Sequence, residues 1–376
     1  MFLTPLLSPL LTLTLTLSAF ATPTKRPPTS GLVVSITSNT PSIDSIADLI
    51  LTAKVTNTSP KDVKVIKYAT VLDDTRPTRS FKVTKGGKDV EFVGVQLQVD
   101  LDAAGDDESA FALIPAHSSV SVNHTLASVY DFSTAGTGSF EFDPLVRFFT
   151  LAPAIPGVAG ARVNAAAVDR LVTVNAESSS VAVEITHDVA RRELASKRST
   201  VRCENSSRAE FMRTSYTESR KLASLAAQYI RSHTGTGDAL FEQYFKTNSE
   251  GAVAGRFEAI AGENDEGRGM YCSDPYDVCS AQDGGIIAYT WLATTEIYYC
   301  SLFFTSLPST SLCSSTTDNM RKIRGGTTLH EFSHALSGTD DVNYGCPRNR
   351  ELGKGEQMNN ADNFNCFATE VYKKQC

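Results

Sequence analysis

The hydrophobic rhythm of the chain changes near its middle. Between about residues 31 and 190, apolar and polar positions alternate in short runs, at 32–36, 49–55, 63–71, 90–99, 119–129, 140–149 and 171–183. The β-branched content of these runs, with Asn, Pro, Gly and Asp between them, predicts antiparallel strands. Their number and spacing predict an all-β, immunoglobulin-like sandwich, although this segment has no cysteine. Beyond residue 200 the period lengthens. Phe211, Leu222, Leu225, Ala226 and Ile230 recur at helical spacing, so a helix is expected over 207–232, with two more over 238–245 and 254–261. Residues 285–291 and 297–304 then read as strands. Gly325-Gly326 precedes a further helix that Gly338 can end, and a last helix is expected over 360–372. The second half is therefore α+β, with helices first, then a small sheet, then helices again.

Inside the helix after Gly326 stands His330-Glu331-Phe332-Ser333-His334, an H-E-x-x-H sequence. Residues four apart share a helix face, so His330 and His334 can offer two imidazoles to one metal with Glu331 beside them. The bland alternative is a surface helix with two unrelated histidines. Leu329, Phe332, Ala335 and Leu336 speak against it, because they wrap the helix in apolar residues and buried imidazoles need partners. A hydrolytic zinc site takes three protein ligands and leaves a fourth position open. His233 stands far upstream in a Gly/Thr-rich turn, and the third histidine of a metzincin would fall at Asp340, with Ser337 where that motif needs glycine. A glutamate ligand further on would have to be Glu351 or Glu356, both in a stretch that reads as loop.

Composition and cysteine usage set the compartment. A net charge of −7 gives no basic footprint, so nucleic acid is not expected as a partner. Residues 1–21 form a Leu/Thr-rich apolar run ending in Ala19-Phe20-Ala21, which suits a cleaved signal peptide, and nothing else reads as a membrane span. Asn57, Asn123 and Asn205 begin sequons, compatible with a secreted glycoprotein. All eight cysteines lie beyond residue 200, an even set that reads as four disulfides in one extracellular domain. Between the halves, a polar and basic stretch contains Lys197-Arg198, a dibasic pair of the kind that kexin-type processing proteases cut after. Cutting there would make residues 22–198 a β-rich propeptide and 199–376 the catalytic domain. His117, His124 and His187 are expected to be ordinary surface or core residues.

After the motif helix comes Gly338-Thr339-Asp340-Asp341-Val342-Asn343-Tyr344-Gly345. It resembles the G-T-x-D-x-x-Y-G sequence of the deuterolysin family of fungal secreted metalloendopeptidases, the aspzincins, in which aspartate is the third ligand. Asn360-Ala361-Asp362 with Phe367-Ala368, Glu242 to Thr247, and Cys272 to Tyr276 are similar to further motifs of that family. The resemblance covers essentially all of 199–376, and the signal, β-rich segment and dibasic junction fit its precursor layout. It implies a zincin-like fold, one Zn2+ on His330, His334 and Asp341, Glu331 as general base for a zinc-bound water, and Tyr344 near the oxyanion. Asp340, Asp341 and Asp362 are all conceivable oxygen ligands; Asp341 holds the family position. Asp362 has an alternative role at the floor of the pocket after the scissile bond, pairing with Lys or Arg of basic substrates. Asp340 is then expected to be a solvated loop residue. The resemblance also implies Cys203–Cys272, Cys279–Cys300 and Cys313–Cys376, which leaves Cys346 and Cys366 to bridge the ligand loop and the last helix.

The leading expectation is thus a secreted zinc endopeptidase made as a zymogen and acting as a monomer, with peptide substrates, its own propeptide and a processing protease as partners. The rivals are a zinc protease of another clan with a Glu ligand, and a secreted binding protein with a degenerate metal site.

Overall fold

The computed structural model describes residues 31–151, 171–190, 203–264, 268–279, 284–314 and 322–376. The expected signal segment and the Lys197-Arg198 junction lie outside them. The described part is a mixed α/β structure with several sheets and helices.

All but one of the N-terminal strands divide among three sheets, where two facing sheets were expected. The first is Glu177–Ser178, Leu32–Ser38, Ile50–Asn57 and Ser119–Thr125; the second is Ser42–Ser45, Val181–Asp188, Gly138–Pro144, Phe81–Lys85 and Lys88–Asp89; the third is Leu171–Asn175, Arg147–Leu151, Val63–Ile66 and Phe111–Ile114. The difference comes from short strands such as Ser42–Ser45 and Phe111–Ile114, whose alternation is too brief to read. Two runs split at turns, 140–149 at Leu145-Val146 and 171–183 at Ala176 and Ser179-Ser180. The largest N-terminal core gathers Phe81, Tyr130, Phe132, Phe140 and Phe142. Of the sequon asparagines, Asn57 is buried, donating to Lys61 O and Ile114 O, whereas Asn123 and Asn205 are exposed.

The C-terminal half follows its predicted order closely. A long helix, Ser206–Ser232, is N-capped by Asn205 and buries Leu222, Ala223, Ala226 and Ile230. Ala239–Phe245 and Glu250–Ala261 follow, and Phe245, Phe257, Phe364 and Phe367 form the aromatic centre against the last helix, Ala361–Lys373. The run at 297–304 is a strand only over Glu296–Tyr299 and continues as a 3-10 turn over Ser301–Thr305. The four disulfides are Cys203–Cys272, Cys279–Cys300, Cys313–Cys376 and Cys346–Cys366, as expected.

One strand crosses between the halves. The small C-terminal sheet runs Met270–Tyr271, Glu296–Tyr299, Ile286–Trp291, and its open edge is taken by Val95–Val99 from the N-terminal half. The run at 90–99, expected within the sandwich, therefore completes another sheet. Pairing satisfies an edge whose N–H and C=O groups would otherwise be free to recruit any extended chain.

Candidate metal centre

The motif helix spans Arg324–Ser337, so Gly325 and Gly326 are its first residues rather than its preface. Both lie where neighbours press against the helix: a Cβ on Gly325 would come within 2.6 Å of Glu218 Cβ, and one on Gly326 within 2.3 Å of Asn365 Oδ1. Gly338, left-handed at φ 59°, ends the helix by donating to His334 O and Ser333 O. The chain then folds back beneath the helix. Asp340 N donates to Asn359 O, and Asn360 Oδ1 accepts from the amides of Val342 and Asn343, so the loop is pinned on both sides of Asp341.

Three side-chain atoms converge. His330 Nε2 lies 3.0 Å from Asp341 Oδ1 and 3.1 Å from His334 Nε2, and His334 Nε2 lies 3.4 Å from Asp341 Oδ1. All three side chains are buried, and their ligand atoms fall within 4.8 Å of one another. His334 Nδ1 donates to Thr339 O at 2.7 Å, which turns the Nε2 lone pair toward the other two. Two imidazole nitrogens and a carboxylate oxygen meeting in a buried site are a donor set of the kind that binds zinc. A zinc ion bound at about 2.0–2.1 Å by each would set its ligands roughly 3.3 Å apart, so the donor set and its spacing fit that metal.

Glu331 is fully buried beside this cluster. Its Oε2 accepts from Thr290 Oγ1 at 2.6 Å, and Oε1 has no protein partner among the described residues. Burial pushes its pKa up to about 7, against the pull of the two imidazoles and the Thr290 hydroxyl. His330 is held charged up to about 10: burial opposes this, but Asp341 and Asp362 outweigh it.

The remaining candidates separate by position. Asp362 sits behind His330, with Oδ1 3.7 Å from Nδ1, while Oδ2 accepts from Gly345 N and Asn349 Nδ2. It is buried among residues of its own half, which is a place for steering an imidazole rather than for lining an open pocket floor. Asp340 is partly exposed but paired rather than merely solvated; its Oδ1 accepts from Arg79 at 2.6 Å and from Gln96 Nε2 at 3.0 Å. Of the two glutamates, Glu356 pairs with Arg147 and Glu351 is exposed, so neither joins the cluster. Tyr344 is buried and donates its hydroxyl to Leu97 O at 2.7 Å. Leu97 N donates to Asp341 Oδ2 at 2.6 Å. Lys197 and Arg198 are not among the described residues. Of the ordinary histidines, His124 is buried against Val71 O, and His233 stacks on Tyr229.

Thr290, Thr339 and the contacts from the N-terminal half also shape the site. Thr339 stands in the G-T-x-D-x-x-Y-G stretch with no role read for it, and Thr290 is the one threonine in the apolar strand Ile286–Trp291.

A buried H-E-x-x-H helix, a carboxylate from the next loop that meets both imidazoles and a glutamate beside them fit a metal-dependent hydrolase. The deuterolysin metalloprotease (M35) family model matches residues 1–375. The chain belongs to that family, and is a zinc metalloendopeptidase. A neutral protease 2 homologue of Neosartorya fischeri is 27% identical over 89% of this chain and 90% of its own length. Neutral protease 2 of Aspergillus oryzae is 26% identical over 95% of this chain and 96% of its own length. Another homologue, from Aspergillus fumigatus, is 35% identical over 41% of this chain and 34% of its own.

Proposed function

We propose that the chain is a secreted endopeptidase made as a zymogen, with residues 1–21 a signal peptide, 22–198 a propeptide released by cutting after Arg198, and 199–376 the active enzyme. The observation that carries the site assignment is the convergence of His330 Nε2, His334 Nε2 and Asp341 Oδ1 beside a buried glutamate. These three residues would hold Zn2+, which supplies Lewis acidity toward the peptide carbonyl and lowers the pKa of water toward neutrality. Glu331, with one oxygen fixed by Thr290, takes the proton of the attacking water through the other and delivers it to the departing amine, so that one peptide bond and one water become a carboxylate and an amine. Tyr344 donates to the carbonyl oxygen as it gains charge. Asp362 keeps the His330 ring in position.

A preference for basic substrates rests on the acidic groups that the N-terminal half covers. Asp340 and Glu356 pair with Arg79 and Arg147, and without those partners they would face an incoming chain. Replacing Glu331 by Gln tests the reading: hydrolysis of a peptide should fall by about 10²–10⁴ while zinc stays at one per chain. Unchanged turnover, or a parent protein with no stoichiometric metal, would refute it.

A further inference from the structure

We infer that the edge of strand Ile286–Trp291, together with Asp340 and Glu356, is the groove for an extended peptide, and that Val95–Val99 of the chain's own N-terminal half is docked there as a stand-in for substrate. This deepens the peptidase reading above and rests on it.

The backbone of Leu97 is the first ground. In an antiparallel pair each residue directs its N–H and C=O either to the partner strand or away from it. Leu97 lies opposite Tyr289, and both its groups turn away from that strand: the amide donates to Asp341 Oδ2 and the carbonyl accepts from Tyr344. The hydroxyl assigned to a scissile carbonyl thus already holds a peptide carbonyl. The ligand carboxylate is capped by the same residue.

The side chains are the second. Gln96 and Gln98 lie opposite Thr290 and Ala288, so they share the face of the sheet from which Thr290 reaches Glu331. Both are buried, at 3% and 2% exposure. Gln96 donates to Asp340, while the carboxamide of Gln98 has no protein partner among the described residues. A strand serving only to cover an apolar edge would place hydrophobic residues on this face, since a buried unpartnered amide is costly. Two glutamines suit a polar, catalytic face. Two arginines then anchor the strand from outside it: Arg79 on Asp340, and Arg147 on Glu356 and Val342 O.

The test compares three uncut chains in stoichiometric Zn2+, all carrying Lys197→Ala and Arg198→Ala: the parent, Arg79→Glu with Arg147→Glu, and Leu97→Pro. The Leu97 N–H points away from the ladder, so proline removes the Asp341 contact and is tolerated by an edge strand. Amide hydrogen exchange is followed over 286–291, alongside hydrolysis of a lysine-containing fluorogenic peptide. The parent should be protected and inactive. Each variant should exchange faster over 286–291 and hydrolyse the peptide faster, about tenfold or more for the charge reversals. Identical exchange in the parent and both variants overturns the docking, as does a parent that hydrolyses the peptide as fast as they do. Faster exchange without hydrolysis upholds the docked strand and counts against the peptidase reading.

Discussion

At the scale of single residues, the site depends on groups that water cannot reach. The carboxyl of Glu331 titrates at about 7 in the folded chain and near 4.5 when free. Below pH 4.5 both states hold the proton and nothing is gained or lost. As pH rises toward 7 the unfolded chain gives up its proton first, so folding loses stability, on the order of 3 kcal/mol in total. Glutamine has no such proton. In chelator, Glu331→Gln should therefore match the parent's urea midpoint near pH 4.5 and exceed it at pH 8; an equal midpoint at both would show that burial of the charge costs little. Asp362→Ala should weaken zinc binding by about 10–100-fold by freeing the His330 ring. Asp340→Asn, whose side chain bonds Arg79 and Gln96 rather than joining the cluster, should leave affinity unchanged in a competition titration. His330, Glu331 and His334 were legible in the sequence because a spacing of four fixes their common face locally. Asp341 was reached only through resemblance, since a loop has no periodicity. Thr290 acts across a contact between elements, which spacing does not encode.

At the scale of elements, the two glycines at the start of the motif helix show where a correct local rule misleads. Glycine disfavours helix interiors, so Gly325-Gly326 read as a boundary. They are inside because the helix packs closely on both Ser206–Ser232 and Ala361–Lys373. Gly325→Ala should gain helix propensity of about 1 kcal/mol and lose more to overpacking, because the new Cβ meets Glu218 Cβ and its backbone carbon lies at 3.2 Å. A net loss of about 1–2 kcal/mol in the denaturant midpoint is expected, and a net gain would mean the two helices separate easily. The strand at 95–99 shows another limit. Its alternation announced a strand, but the pattern of a strand tells which face is buried and not which sheet it joins.

At the scale of the whole molecule, the two halves are tied by a core that neither owns. One apolar cluster is built within the helical half around Phe245 and Phe367, and another almost entirely within the N-terminal half. The third interleaves Tyr68, Val95, Leu97 and Phe149 with Tyr271, Tyr289, Trp291 and Tyr344. Cutting a connecting segment does not dissolve such a core, because the apolar area it hides, at about 25 cal/mol per Å², still favours association. Release of the N-terminal half should then be a separate step from cleavage, and the chain carries its own reporter. Trp291, its one tryptophan, is 5% exposed, packs on Tyr276 and lies opposite Val95. Its emission should stay blue and poorly quenched by acrylamide immediately after cutting at Arg198. It should shift to the red, with quenching rising, only when the N-terminal half is removed. A shift simultaneous with backbone cleavage would mean that the shared core is too weak to hold the halves together, and an emission unchanged after removal would mean that Val95 does not cover the tryptophan.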